Sequence, residues 1–401
     1  MTNRDRCALR SARATFCAVL LLELASAGVF APRLAAQKST PLPAWGALTP
    51  GPARVGFSSW VERDSSRSTD GEVRAVQVSV WYPTTKPALA PRLHYADYVA
   101  LGATERGQPA SDSANSAAIT EFVEFLVSNR VPRDDVMHWM ASEMYAHVDT
   151  ARAMRAGQPL VLVAQGNGQA AYSQAVLCEL LASHGYVVLT TPSPVRLGAP
   201  LTSDADIYPL VSAQATDLEV GMRAAVRRGL GDSLHVATIG HSLGARASLL
   251  LVLRHHASLL VSLDGGIANA QGRSWLDSAH LSLGAARGSL VHLYQQGDST
   301  VIPDFRLVRQ LTGMDRSLIL AAGLRHWNFT SFGTSAAAFP TVAPGPTTPA
   351  NERTSADVMR VTRCVLDAWV RGRRSVNPAM CLDRTRGLTL RERLAATASG
   401  R

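Results

Sequence analysis

Between residues 159 and 322, short apolar runs alternate with stretches of helical length. The runs 160–164, 186–191, 236–239, 259–263, 290–294 and 318–322 are rich in Leu, Val and Ile and carry no carboxylate or Lys/Arg charge. Runs of this kind read as strands covered on both faces. Residues 170–182, 217–228, 246–256 and 355–370 show the spacing of helices. Strand and helix taken in turn predict an α/β fold, a mostly parallel, doubly wound sheet with helices on both faces.

Upstream, the pattern changes. Residues 55–62 and 73–82 read as an antiparallel hairpin at a sheet edge, joined by a polar turn at 64–71. Residues 83–115 are loop-rich. A helical insertion is expected over 116–157, where Ile119, Val123 and Leu126 form one stripe and Val136, Met140 and Met144 another. Such stripes are core faces, and the methionines also suit a flexible apolar pocket wall. Residues 334–354 read as a Pro/Ala/Thr-rich loop, and the Arg-rich tail 383–401 as solvated.

At 401 residues and 46% hydrophobic content the chain can bury a large core. Its first 36 residues read as an export signal: Arg4, Arg6, Arg10 and Arg13, then an apolar stretch at 16–27, then small residues. Glu23 interrupts the stretch, so a cleaved peptide is expected, with no stable membrane span afterwards. Cleavage is expected after Ala27 or Ala36, leaving one domain at 37–382 for the periplasm or the medium. Without residues 1–36 the formal charge falls from +9 to +6. The arginines are scattered and no basic run interleaves with aromatics, which excludes nucleic acid as a partner. In an oxidising compartment Cys364 and Cys381 are expected to pair across a short loop, while Cys178 reads as core. No Cys/His/acid cluster has metal-ligand spacing, and no metal or organic cofactor is expected.

The chemistry concentrates at Gly240-His241-Ser242-Leu243-Gly244, a G-x-S-x-G between an apolar run and a leucine-rich helix. That context makes Ser242 a candidate nucleophile on a sharp strand-to-helix turn, with glycines where side chains would collide. A serine needs a base and an acid to orient that base. Among the later histidines only His326 follows a strand, the last one, so it is the candidate base. Two strand-end carboxylates compete for the acid: Asp264 before Gly265-Gly266, and Asp298 after the next strand, which position alone favours slightly. The backbone N–H of Leu243 and of Asn167, in Gln165-Gly166-Asn167-Gly168, are the candidate oxyanion donors.

These motifs, with Val80-Trp81-Tyr82-Pro83 and His326-Trp327-Asn328-Phe329, resemble the platelet-activating factor acetylhydrolase family of α/β-hydrolases over roughly residues 55–332, and more distantly the dienelactone hydrolases. The resemblance implies an α/β-hydrolase fold and a carboxylic-ester hydrolase acting on a small-molecule or lipid ester. It implies Ser242, Asp264 and His326 as the triad, which reverses the positional preference for Asp298, and Asn167 and Leu243 as oxyanion donors. Gln165 stands where that family has histidine, and Ser242 where dienelactone hydrolases have cysteine. Two rivals stay open: a lipase or polyester hydrolase using Asp298, and a catalytically silent binding module.

Overall fold

The upstream hairpin is longer than its hydrophobic pattern. In the computed structural model, which describes residues 42–69, 71–84, 90–148, 157–270, 281–299, 301–345, 347–372 and 376–397, β1 (Arg54–Thr69) and β2 (Glu72–Thr84) pair antiparallel. The ladder runs through the expected polar turn, with a register shift between Asp64 and Ser68. The export signal expected at 1–36 lies outside the described residues.

The next segment corrects the expected loop. It carries β3 (Arg92–His94), α1 (Tyr95–Ala100), α2 (Asp112–Ser128) and α3 (Arg133–Met140), then β4 (Glu143–Val148), which pairs with β1 and β3. The expected insertion at 116–157 is therefore helical only in part, and Met144 lies in a strand. Residues 149–156 lie outside the described residues. Tyr95 stacks on Trp139 at 4.2 Å and the Trp139 indole N–H donates to Ser335 at 3.0 Å, so these helices dock on the core. Glu179, a buried carboxylate, ties the region down: it accepts from Trp45 Nε1, Tyr98 Oη and the N–H groups of Tyr145 and Ala146, all at 2.7–2.9 Å. A buried charge is tolerable because its lone pairs are satisfied in this way.

The alternating half builds the rest. β5 (Pro159–Ala164), β6 (Val187–Thr191), β7 (Asp232–His241), β8 (Leu259–Leu263), β9 (Gly288–Tyr294) and β10 (Met314–Ala321) form the parallel body. β11 (Leu388–Leu394) joins antiparallel to β10, which corrects the expectation of a wholly solvated tail. The full order is β11-β10-β9-β8-β7-β5-β6-β2-β1-β4-β3. Alternate residues of each strand enter two cores: Val161, Val163 and Ile239 pack under α4 (Ala175–Ser183), and Leu160 and Leu162 under α5 (Ile207–Arg227) and α6 (Gly244–Leu253). Two-sided burial is why these strands read as continuous apolar runs. α7 (Arg306–Gln310), α8 (Ser331–Ser335) and α9 (Pro349–Val370) complete the covering layers. The long helices α5 and α9 begin ten and six residues before the segments read as helical: α9 because its first turns are polar, α5 although Ile207, Leu210 and Val211 in its first turns are apolar and buried. Cys364 and Cys381 form a disulfide that fastens the end of α9, with Cα atoms 5.8 Å apart, and Cys178 is a buried free thiol. Among the described residues no helix is long and apolar enough to cross a membrane.

Candidate active site

Sheet register sets the site. His241 pairs with Leu263 at the carboxyl ends of β7 and β8, so Ser242 and Asp264 each stand one residue beyond a paired position. The Ser242 N–H donates to Leu263 O at 3.2 Å, and the Asp264 N–H to Leu293 O at 2.7 Å. Loops at the carboxyl ends of parallel strands are where such sheets place reactive groups.

At the end of β7 the chain turns sharply. Ser242 has φ +53°, a left-handed conformation that costs a non-glycine residue about 1–2 kcal/mol. A Cβ on Gly240 would overlap the backbone of Ala245, and one on Gly244 would overlap the carbonyl of Ala164. Both glycines are therefore required by close approach. Asp264 is left-handed as well, at φ +43°. Strain of this kind persists where surrounding bonds over-determine it; here Ser242 O accepts the N–H groups of Gly266 at 2.7 Å and Ala245 at 3.1 Å.

The loop after β10 brings in His326, at the start of a short 3-10 helix, His326–Phe329. Its Nδ1–H donates to Asp264 Oδ2 at 2.7 Å, with both side chains buried. Asp264 also accepts from Gln295, through backbone N–H and side-chain amide at 3.3 Å each. Asp298 lies elsewhere in the network: its carboxylate accepts the backbone N–H of His326 at 3.3 Å. With Nδ1 committed to Asp264, the neutral imidazole presents Nε2 as its basic nitrogen. Ser242 and His326 line one cavity, and no hydrogen bond joins their side chains.

Gln165 is buried and braces the turn after β5, donating to Ala171 O and Thr190 Oγ1 at 2.9 Å each. It thus fills by hydrogen bonding the place that the resemblance gives to histidine. Gly166 N–H is taken by the Gln169 side chain at 2.6 Å, while Asn167 and Leu243 line the cavity beside Ser242. Their N–H groups have no acceptor among the described residues.

Several participants carried no signal in the sequence. His241 donates from Nε2 to His326 O at 3.2 Å, lies 3.1 Å from Gln169 Oε1 through Nδ1, and stacks on the His326 ring at 4.6 Å. Burial, reinforced by the neighbouring His326, pushes its pKa well down, so it serves as a neutral brace. Gln295 was readable only as the residue just past β9, at the depth of Asp264 one strand away. Arg246, one turn beyond Ser242, lines the cavity with its Nε donating to Gly266 O at 2.9 Å.

The cavity encloses about 480 Å³. Its far wall comes from the segment 201–207 leading into α5, together with Val301 and Trp327. The insertion expected to supply that wall contributes no described residue to it; Val123, Val136, Met140 and Met144 are core. Among the described residues no group of three or more His, Cys, Asp or Glu side chains is placed to hold a metal ion.

No protein-family model matches the sequence, and no curated protein does. Among solved structures the chain is similar to a ferulic acid esterase from Streptomyces cinnamoneus, with a TM-score of 0.58 and 19% identity, over 86% of this chain and 98% of that one. At that identity the likeness concerns the fold, an α/β-hydrolase architecture.

Proposed function

We propose that the chain is an exported serine hydrolase of carboxylic esters, of the acetylhydrolase or esterase type. Ser242 Oγ attacks the ester carbonyl as His326 Nε2 takes its proton, and the tetrahedral oxyanion is held by the N–H groups of Leu243 and Asn167. The protonated His326, stabilised by Asp264, then gives its proton to the leaving alkoxide. Water, deprotonated by the same nitrogen, cleaves the acyl-enzyme to the carboxylic acid and restores Ser242. One observation carries this reading: the 2.7 Å bond from His326 Nδ1 to Asp264, in the cavity where Ser242 stands on its strained turn. The ferulic acid esterase likeness supports an ester as the bond cleaved.

The resemblance to platelet-activating factor acetylhydrolases supports the acid coming from the strand after the elbow helix, and the lipid substrate of that family is not carried over. The rival with Asp298 as acid is disfavoured by the bond of Asp298 to backbone rather than ring. Export is supported by the arginine-led apolar leader and by the Cys364–Cys381 bridge, since disulfides persist in oxidising compartments. The test is labelling by a fluorophosphonate probe, with hydrolysis of a p-nitrophenyl ester series from acetate to palmitate. Labelling that Ser242→Ala abolishes is expected; an unlabelled protein inert to every ester is a binding module instead.

A further inference from the structure

We propose that Arg246 selects esters bearing a carboxylate near the scissile bond, an inference that rests on the ester hydrolase reading of the same cavity. Arg246 stands one turn after Ser242 on α6, and helical side chains lean back toward the helix N-terminus, here the elbow. Its Nε donates to Gly266 O at 2.9 Å and its Nη2 to Asn269 Oδ1 at 3.3 Å. Gly266 in turn donates its N–H to Ser242 O at 2.7 Å. The plane of the guanidinium is thereby set relative to the nucleophile's own backbone. A Cβ on residue 266 would lie 3.0 Å from Arg246 Nε, so glycine there is what permits the close approach.

A cation so held is preorganised for a planar anion. Guanidinium–carboxylate contacts are charge-assisted and directional, and they strengthen where water is scarce. Arg246 is almost wholly buried yet lines the cavity. Burial lowers its pKa to about 10 and Asp204 partly offsets this, so the side chain is charged at neutral pH. Asp204, exposed and on the far wall of the same cavity, is the carboxylate whose field reaches it. An incoming substrate carboxylate gains from Arg246 and is opposed by Asp204, so the two residues have opposite effects on selectivity. The net positive chain adds attraction at long range.

The experiment compares kcat/KM for pairs of matched size. Monophenyl succinate against the phenyl ester of levulinic acid puts the charge on the acyl side; para-acetoxybenzoate against para-acetoxybenzamide puts it on the alcohol side. Wild type should favour the anionic member of one pair by about tenfold, the scale of one charge-assisted contact. Arg246→Gln should erase that ratio, and Asp204→Asn should raise it. If Arg246→Gln does not fold, Asp204→Asn at its exposed position decides alone, and a ratio that fails to rise overturns the proposal. Equal or better cleavage of both neutral members by wild type, with Ser242 still labelled by fluorophosphonate, overturns it while leaving the ester hydrolase standing. Loss of labelling and of all hydrolysis removes both.

Discussion

Asp298 Oδ2 accepts the backbone N–H of His326 at 3.3 Å, so this carboxylate holds the loop that carries the ring. Asp264 holds the ring itself. Replacing the acid of a triad by its amide leaves the wrong histidine tautomer, and Asp264→Asn should lose on the order of 10⁴ in kcat. Asp298→Asn keeps an oxygen that can accept the N–H and should lose less than about tenfold, as for a group supporting a ligand from behind. Steady-state kinetics on one ester decide it, and reversed magnitudes would transfer the acid to Asp298.

Ser242→Ala and His326→Ala should each reduce ester hydrolysis by about 10³-fold or more, and the double variant should be little worse than either single one. Residues that act as one unit are not additive, so multiplying losses in the double variant would mean they work separately. Circular dichroism should be unchanged, because both side chains face a cavity.

Stability should fall in acid through a histidine remote from the chemistry. His292 is buried in β9, bonded through Nδ1 to Ser262 Oγ at 2.9 Å, and burial lowers its pKa from 6.5 to about 3. Between those values the unfolded chain takes up a proton that the folded one refuses, so this contribution is intact above pH 6.5 and lost as pH falls toward 3. Its full slope is about 1.4 kcal/mol per pH unit. His241, also held neutral, acts with the same sign. Urea unfolding across this range should show a shallower pH slope for His292→Asn than for wild type; parallel profiles would refute the assignment.

Reduction of the Cys364–Cys381 bridge, which spans 17 residues, should cost about 3 kcal/mol at most and lower the thermal midpoint. Peptide mapping without reductant should recover the two cysteines joined, while native Cys178 resists alkylation because it is buried. Recovery of Cys364 as a free thiol from the native protein would contradict the bridge.

The sheet was legible wherever strands are buried on both faces, because an apolar run such as Leu259–Leu263 needs no partner to be recognised. The elbow was legible because sterics demand glycine at 240 and 244. β11 was hidden because its pattern Leu388, Leu390, Leu394 is interrupted by Arg391, Glu392 and Arg393, which an exposed strand permits. The cavity wall at 201–207 was hidden for another reason: Ser203 and Asp204 have no periodicity, and only the path of the chain into α5 brings them opposite Ser242. His241, Gln169 and Gln295 could not be ranked from sequence, since their roles depend on partners 72, 85 and 31 residues distant.

The pairing of β11 along β10 also bears on solubility. β10 is apolar on both faces through Leu318, Ile319 and Leu320, and its outer backbone groups are satisfied by Leu388–Leu394. β11 then offers the outside a strand studded with Arg391, Glu392 and Arg393, the kind of charged border that resists joining another chain. A chain ending at Leu382 would keep Ser242, Asp264 and His326, yet it would bare a flat, greasy strand edge ready to recruit its neighbours. Residues 388–394 thus cover the apolar backbone edge of β10 with a charged strand.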